Sequence, residues 1–126
     1  MRFLVPFYVT LGGGLGALAR YVVASAIGGT ASAGFPWGIF VVNVSGGLIM
    51  GVITELAALK LNIGLELRAF LTTGILGGYT TFSTFSLESA ILIQRGAYGL
   101  AASYVVGSAL LSIAALFAGL WLVRAF

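Results

Sequence analysis

The sequence predicts an all-α membrane protein with four transmembrane helices per subunit, the third of which is broken. Of its 126 residues, 60% are hydrophobic and only 7% are charged, which leaves too little polar surface to cover a soluble globule. The apolar residues also form long runs, each sufficient to cross a hydrocarbon core of about 30 Å. We therefore treat residues 1–126 as a single transmembrane domain.

Three of the predicted helices are uninterrupted, and they cover residues 3–27, 37–59 and 98–122. The first ends before a pair of glycines, which favours a turn. The second begins after Pro36, since proline fits the first turn of a helix. The fourth follows the Arg95-Gly96 turn.

The third predicted helix, residues 66–95, would be about 45 Å long if it were straight, well beyond the membrane core. Glycines and hydroxyl side chains crowd the stretch 74–88, and they predict a break near residues 77–81. Irregular backbone at membrane depth survives only where protein or a polar cavity satisfies it, so the break indicates an ion or substrate site. The alternative is that the glycines only allow close helix packing.

The residue types exclude several kinds of chemistry. The chain has no cysteine and no histidine, and its only acids are Glu55, Glu66 and Glu88. No nucleophile with a matching base can be assembled from this set, so we expect no enzyme. The six basic residues are scattered singly along the chain, which argues against a nucleic-acid partner.

Neutral hydrogen-bond donors remain at membrane depth, and donors without carboxylates suit an anion rather than a cation. Phenylalanine ring edges, which carry positive partial charge, can also face a small anion. The alternatives are interhelical packing for the serines and a lipid-facing or core position for the phenylalanines. The candidate residues are Asn43, Phe82, Ser83, Thr84, Phe85, Tyr104, Ser108 and Ser112.

Three stretches of the chain, 12–21, 37–46 and above all Gly-Gly-Tyr-Thr-Thr-Phe-Ser-Thr-Phe at 77–85, resemble the small bacterial fluoride channels of the CrcB or Fluc family. The resemblance implies a passive, fluoride-selective channel that exports fluoride from the cytoplasm and so relieves its toxicity. It also implies an antiparallel, dual-topology homodimer, surrounded by lipid in the bacterial cytoplasmic (inner) membrane.

The resemblance assigns the fluoride pathway to the candidate residues above. It further implies a structural sodium ion, not transported, bound by the main-chain carbonyls of Gly77 and Thr80. We place Arg20 and Glu88 at the vestibule. One position departs from the family pattern, since Ile39 replaces a threonine that is common there.

Counting charges gives only a weak orientation signal. Four basic residues (Arg2, Lys60, Arg68 and Arg124) fall on one predicted side of the membrane and two (Arg20 and Arg95) on the other. So slight a bias permits insertion in both directions, although it can also fix one. The alternative function is a small dual-topology, proton-coupled exporter of organic cations, which needs a carboxylate embedded in the membrane.

Overall fold

A computed structural model describes residues 4–126, and all regular secondary structure in that range is helical. Three of the helices are long and apolar enough to cross a membrane: Leu4–Ile27, Trp37–Leu59 and Tyr98–Ala125. Phe3, the predicted first helical residue, and Arg2, counted in the charge bias, lie outside the described residues. The helices are α1 (Leu4–Ile27), α2 (Trp37–Leu59), α3 (Leu65–Ala69), a π-helical segment (Phe70–Leu76), α4 (Gly77–Tyr79), α5 (Ser83–Gln94) and α6 (Tyr98–Ala125).

The third segment is continuous from Leu65 to Tyr79 and is interrupted at residues 80–82. The predicted break began at Gly77, which instead lies in a helix together with Gly78. Helical geometry persists there because Gly78 packs against α1: a β-carbon on Gly78 would lie 2.4 Å from the Gly13 carbonyl oxygen. The π-helical segment just before the break was not predicted, and such segments are frequent at functional sites.

Glycines set the distance between the packed helices. α1 packs on the segment 70–79 through Gly12 and Gly16, and a β-carbon on Gly16 would lie 2.0 Å from the Ile75 carbonyl oxygen. α2 packs on α6 at Gly51, where a β-carbon would lie 2.1 Å from the Leu116 carbonyl oxygen. Only a hydrogen atom fits at these positions, so the helix backbones lie in direct contact.

The connection between α1 and α2, residues 28–36, is hereafter the α1–α2 loop. It begins with two glycines of positive φ, Gly28 (78°) and Gly29 (86°), a conformation that glycine adopts without steric cost. Its Ala31 is completely buried, in a cluster with Leu92 and Tyr104. Ala31 thus anchors the loop against α5 and α6.

The far ends of α2 and α6 are joined by an ion pair. Nε and Nη2 of Arg124 both lie 2.9 Å from Oε2 of Glu55, whose side chain is only 9% exposed. The Arg124 side chain is 56% exposed, so it is Glu55 whose charge depends on the pair: without Arg124 a nearly buried carboxylate would have no partner. The pair therefore fixes the register of the two helices.

Candidate functional site

Asn43 on α2 holds the break in the third segment. Its Oδ1 accepts a hydrogen bond from the Thr81 N–H at 2.9 Å, and its Nδ2 donates to the Thr81 carbonyl at 3.2 Å. One carboxamide therefore satisfies both polar groups of a residue that has left the helix. This is the satisfaction that irregular backbone requires at membrane depth.

A second contact fixes the residue before the break. The Tyr79 hydroxyl lies 2.9 Å from the Ser45 hydroxyl, which also donates to the Val42 carbonyl. The ring of Tyr79 is buried against Val42 and Leu76. α2 thus holds the break from both sides, through Ser45 and Asn43.

These contacts leave two main-chain carbonyls without their helical donors. In a continuous helix, Gly77 and Thr80 would accept hydrogen bonds from the N–H groups of Thr81 and Thr84. Instead Thr81 donates to Asn43, and Thr84 donates to the Thr81 hydroxyl at 3.1 Å. The carbonyl oxygens of Gly77 and Thr80 are therefore among those released at the break, as is that of Gly78, which accepts from Arg20. Oxygen ligands are what hard cations take.

A groove of about 440 Å³ runs along α2 and α6 beside the break. Its polar side chains are all neutral, and no carboxylate lines it among residues 4–126. Glu55 lies far along α2, bonded to Arg124, and does not supply the embedded acid that a cation exporter needs. Six of the predicted residues line the groove: Asn43, Thr80, Phe82, Phe85, Ser108 and Ser112.

Aromatic rings connect the exposed and buried ends of the site. Phe82, 79% exposed, lies 5.6 Å from Phe85 between ring centroids, and Phe85 lies 5.2 Å from Tyr104. Phe35 of the α1–α2 loop meets Tyr104 at 5.5 Å and 86°, edge to face. The ring of Tyr104 is therefore held between two phenylalanines and is completely buried.

Two hydroxyls in this region have no hydrogen-bond partner among the described residues: those of Tyr104 and Ser108. They lie four residues apart on α6, so they share one face, and Ser112 continues it. An unpaired buried hydroxyl costs about 1–3 kcal/mol. Hydroxyls kept in this state are suited to a small polar ligand.

The other predicted residues do not line the groove. The Ser83 hydroxyl lies 3.3 Å from the Thr81 hydroxyl, and Thr84 uses its main-chain N–H in the break. Arg20 donates to the Gly78 carbonyl at 3.2 Å, on the α1 side of the third segment. Glu88 accepts from the Ala31 N–H at 2.8 Å. Ile39, the position that departs from the family pattern, packs with the apolar residues around Tyr104.

Sequence reasoning missed Thr81, Ser45, Ala31 and Arg95. Thr81 had a local signal in the sequence. It lies three residues before Thr84, and a threonine hydroxyl that accepts from an N–H three residues later is the pattern of a helix N-cap. The contacts of Ser45, Ala31 and Arg95 join residues far apart in the chain. No periodicity within a single segment predicts them.

Comparison with known proteins agrees with this description. Residues 7–120 match the sequence model of a family described as "CrcB-like protein, Camphor Resistance (CrcB)". The chain is 53% identical over 125 residues to the fluoride-specific ion channel FluC of Rhodopseudomonas palustris (strain BisB5), which covers 99% of this chain and 98% of that relative.

Two further relatives bear the same name. That of Rhodospirillum centenum (strain ATCC 51521 / SW) is 52% identical over 92% of both chains. That of Agrobacterium fabrum (strain C58 / ATCC 33970) is 48% identical over 92% of this chain and 93% of its own. With a family match over most of its length and relatives about half identical to it, this chain belongs to the CrcB family of fluoride channels, which are not enzymes.

Proposed function

We propose that this protein is a passive, fluoride-selective channel that exports fluoride across the bacterial cytoplasmic membrane and so relieves its toxicity. The observation that carries the proposal is the pair of buried hydroxyls of Tyr104 and Ser108, which among residues 4–126 have no hydrogen-bond partner and lie beside a groove that no carboxylate of that range lines. The names of the relatives point to the same ion.

Fluoride enters such a path only if fixed donors replace its hydration shell. The hydroxyls of Ser112, Ser108 and Tyr104 offer donors at successive turns of α6, about 6 Å apart. Phe82 and Phe85 add ring edges beside them. Several sites of similar affinity let the ion leave each one and move on.

The channel is a homodimer of antiparallel subunits. One subunit alone does not enclose an ion path, because its groove is open and Phe82 is 79% exposed at the edge. A second copy packed on this face covers the exposed ring. Large exposed apolar residues elsewhere, such as Phe7 and Trp121, suit contact with lipid.

A sodium ion at the dimer axis would be held by the carbonyls of Gly77 and Thr80 from both subunits. The diverted Thr81 and Thr84 N–H groups support this assignment, because they leave these oxygens available. Neutral carbonyls suit a monovalent cation better than a strongly hydrated divalent one. Purification with sodium replaced by a large organic cation should weaken the dimer, and an unchanged dimer would remove the ion from the proposal.

Ion efflux from liposomes that contain the purified protein tests the function directly. We expect rapid fluoride efflux and little chloride efflux. Ser108→Ala should lower fluoride efflux, because it removes a buried donor. Ser103→Ala is the matched control, since the exposed Ser103 hydroxyl bonds only to its own helix at Gly99. Absence of fluoride efflux from the unaltered protein would contradict the proposal.

A further inference from the structure

Glu88 in α5 and Arg95 at the C-terminal end of α5 both bond to one residue of the α1–α2 loop, Ala31. Glu88 Oε2 accepts from the N–H of Ala31 at 2.8 Å. Nη1 of Arg95 donates to the carbonyl of Ala31 and, at 3.4 Å, to that of Gly34. Both polar groups of a completely buried loop residue are therefore bound by side chains about 60 positions away along the chain.

Arg95 has no ion-pair partner among residues 4–126. It lies at the C-terminal cap of α5, where the helix dipole by itself favours a positive charge. Its side chain is instead directed to the loop carbonyls. One guanidinium nitrogen, Nη1, donates to both carbonyls, so Arg95 links Ala31 to Gly34.

The same loop contacts the buried hydroxyl track. Phe35, the residue after Gly34, places its ring against Tyr104 at 5.5 Å, edge to face. Trp37 and Phe40 pack on other sides of Phe35, at 4.5 and 5.5 Å. A displacement of the Gly34 carbonyl therefore moves the ring that borders Tyr104.

We propose that Arg95 is a positioning residue for anion conduction, which acts through the α1–α2 loop and Phe35 on the Tyr104 hydroxyl. The inference rests on the proposed channel function. A donor that replaces water around an ion must be held in place before the ion arrives. Arg95 supplies this restraint without lying in the groove.

Liposome fluoride efflux of Arg95 variants tests the proposal, with size-exclusion chromatography and thermal unfolding to show that each variant is folded and assembled. Arg95→Leu should lower efflux about tenfold, since misplacement by about 1 Å can cost up to a hundredfold. Arg95→Lys should retain most of the fluoride efflux of the unaltered protein, because an ammonium can still donate to the carbonyls. The matched control is Arg68→Leu, which removes an exposed arginine whose side chain bonds to nothing among residues 4–126.

A double-mutant cycle with Tyr104→Phe distinguishes positioning from a general effect of charge. If Arg95 acts through the Tyr104 hydroxyl, Arg95→Leu should lower efflux little further once that hydroxyl is gone. Additive losses, or an unaffected Tyr104→Phe variant, would overturn the inference. So would an effect of Arg95→Leu that disappears at high salt, because it would show attraction of anions at the surface.

Phe35→Leu gives a second measurement if Arg95→Leu does not fold. It leaves every contact of Arg95 in place and removes the aromatic contact with Tyr104, so it should also lower efflux, again not additively with Tyr104→Phe. Normal efflux in Phe35→Leu contradicts the relay. If the unaltered protein conducts fluoride while Arg95→Leu and Arg68→Leu behave alike, the inference fails and the channel function stands.

Discussion

At the scale of single residues, the most constrained side chain is Asn43. Both of its amide atoms bond to the main chain of Thr81. By sequence it is one of the candidate donors of the fluoride pathway. The observed contacts favour orientation of the neighbouring pathway residue Phe82 instead, since one N–H is already used and Phe82 follows Thr81 directly in the chain.

Asn43→Asp tests this role. The carboxylate still accepts from the Thr81 N–H but has no donor for the Thr81 carbonyl, and two acceptors then face each other. We expect a loss of about 1–3 kcal/mol in the free energy of unfolding together with a steep fall in fluoride efflux. Asn62→Asp, at an exposed position between α2 and α3, should change neither quantity. Normal efflux and stability in Asn43→Asp would assign Asn43 to packing alone.

Phe82 and Phe85 give a second prediction at this scale. Replacing either by isoleucine keeps an apolar side chain but removes the ring edge together with the contact between the two rings, and an aromatic pair is worth about 0.5–1.5 kcal/mol. Fluoride efflux should fall about two- to tenfold for each. Phe117→Ile provides the control, since Phe117 is exposed on α6 away from the groove. Equal efflux from all three variants would exclude the aromatic edges from the pathway.

At the scale of helices, the position of the groove depends on how closely α2 approaches α6. Gly51 and Gly119 make this contact: a β-carbon on Gly119 would lie 2.4 Å from the Leu48 carbonyl oxygen. The Glu55–Arg124 pair lies one turn beyond it. Because Asn43 and Ser108 line the groove from opposite helices, any increase in the helix separation changes the site.

The effect of Gly51→Ala follows from this contact. The added methyl group cannot fit without separating the helices, so the variant should lose about 1–3 kcal/mol of stability and much of its efflux. Gly99→Ala is the matched control, since in the described part of the chain nothing lies within 4 Å of a β-carbon at Gly99 in α6. There the change should stabilise the helix by up to ~1 kcal/mol. Thermal unfolding in detergent measures the stability of both variants. Equal unfolding midpoints would show that the backbone contact at Gly51 does not determine the stability of the protein.

At the scale of the whole molecule, the surface of one subunit favours contact with a second copy. Its groove is open along one side, and exposed apolar residues lie on every spanning helix. The weak charge bias, four basic residues against two by sequence, permits both orientations in the membrane. An antiparallel pair is therefore the assembly we expect.

Labelling of an introduced cysteine measures the orientation. Asn62→Cys places the only cysteine of the chain at an exposed position between α2 and α3. A membrane-impermeant thiol reagent should label about half of the molecules from each side, because an antiparallel dimer requires equal numbers in both orientations. Complete labelling from one side in an active protein would exclude dual topology.

The sequence by itself determined the helical class, the interruption of the third segment and the chemical character of the site. These properties follow from composition and local pattern: apolar runs, clustered hydroxyls, and the absence of histidine and cysteine. It also indicated the α6 hydroxyls, because residues four apart share a helix face.

Only the tertiary structure decided where the break begins and which groups hold it. Gly77 and Gly78 stay helical because α1 packs against Gly78, and Thr81 leaves the helix where Asn43 can bond to it. The same holds for Arg95, which by sequence counts only as a turn residue and a charge on one side of the membrane, and which in the fold binds the α1–α2 loop. Such contacts join residues that are distant in the chain, and the energy of burying a polar group depends on a partner that no local pattern specifies.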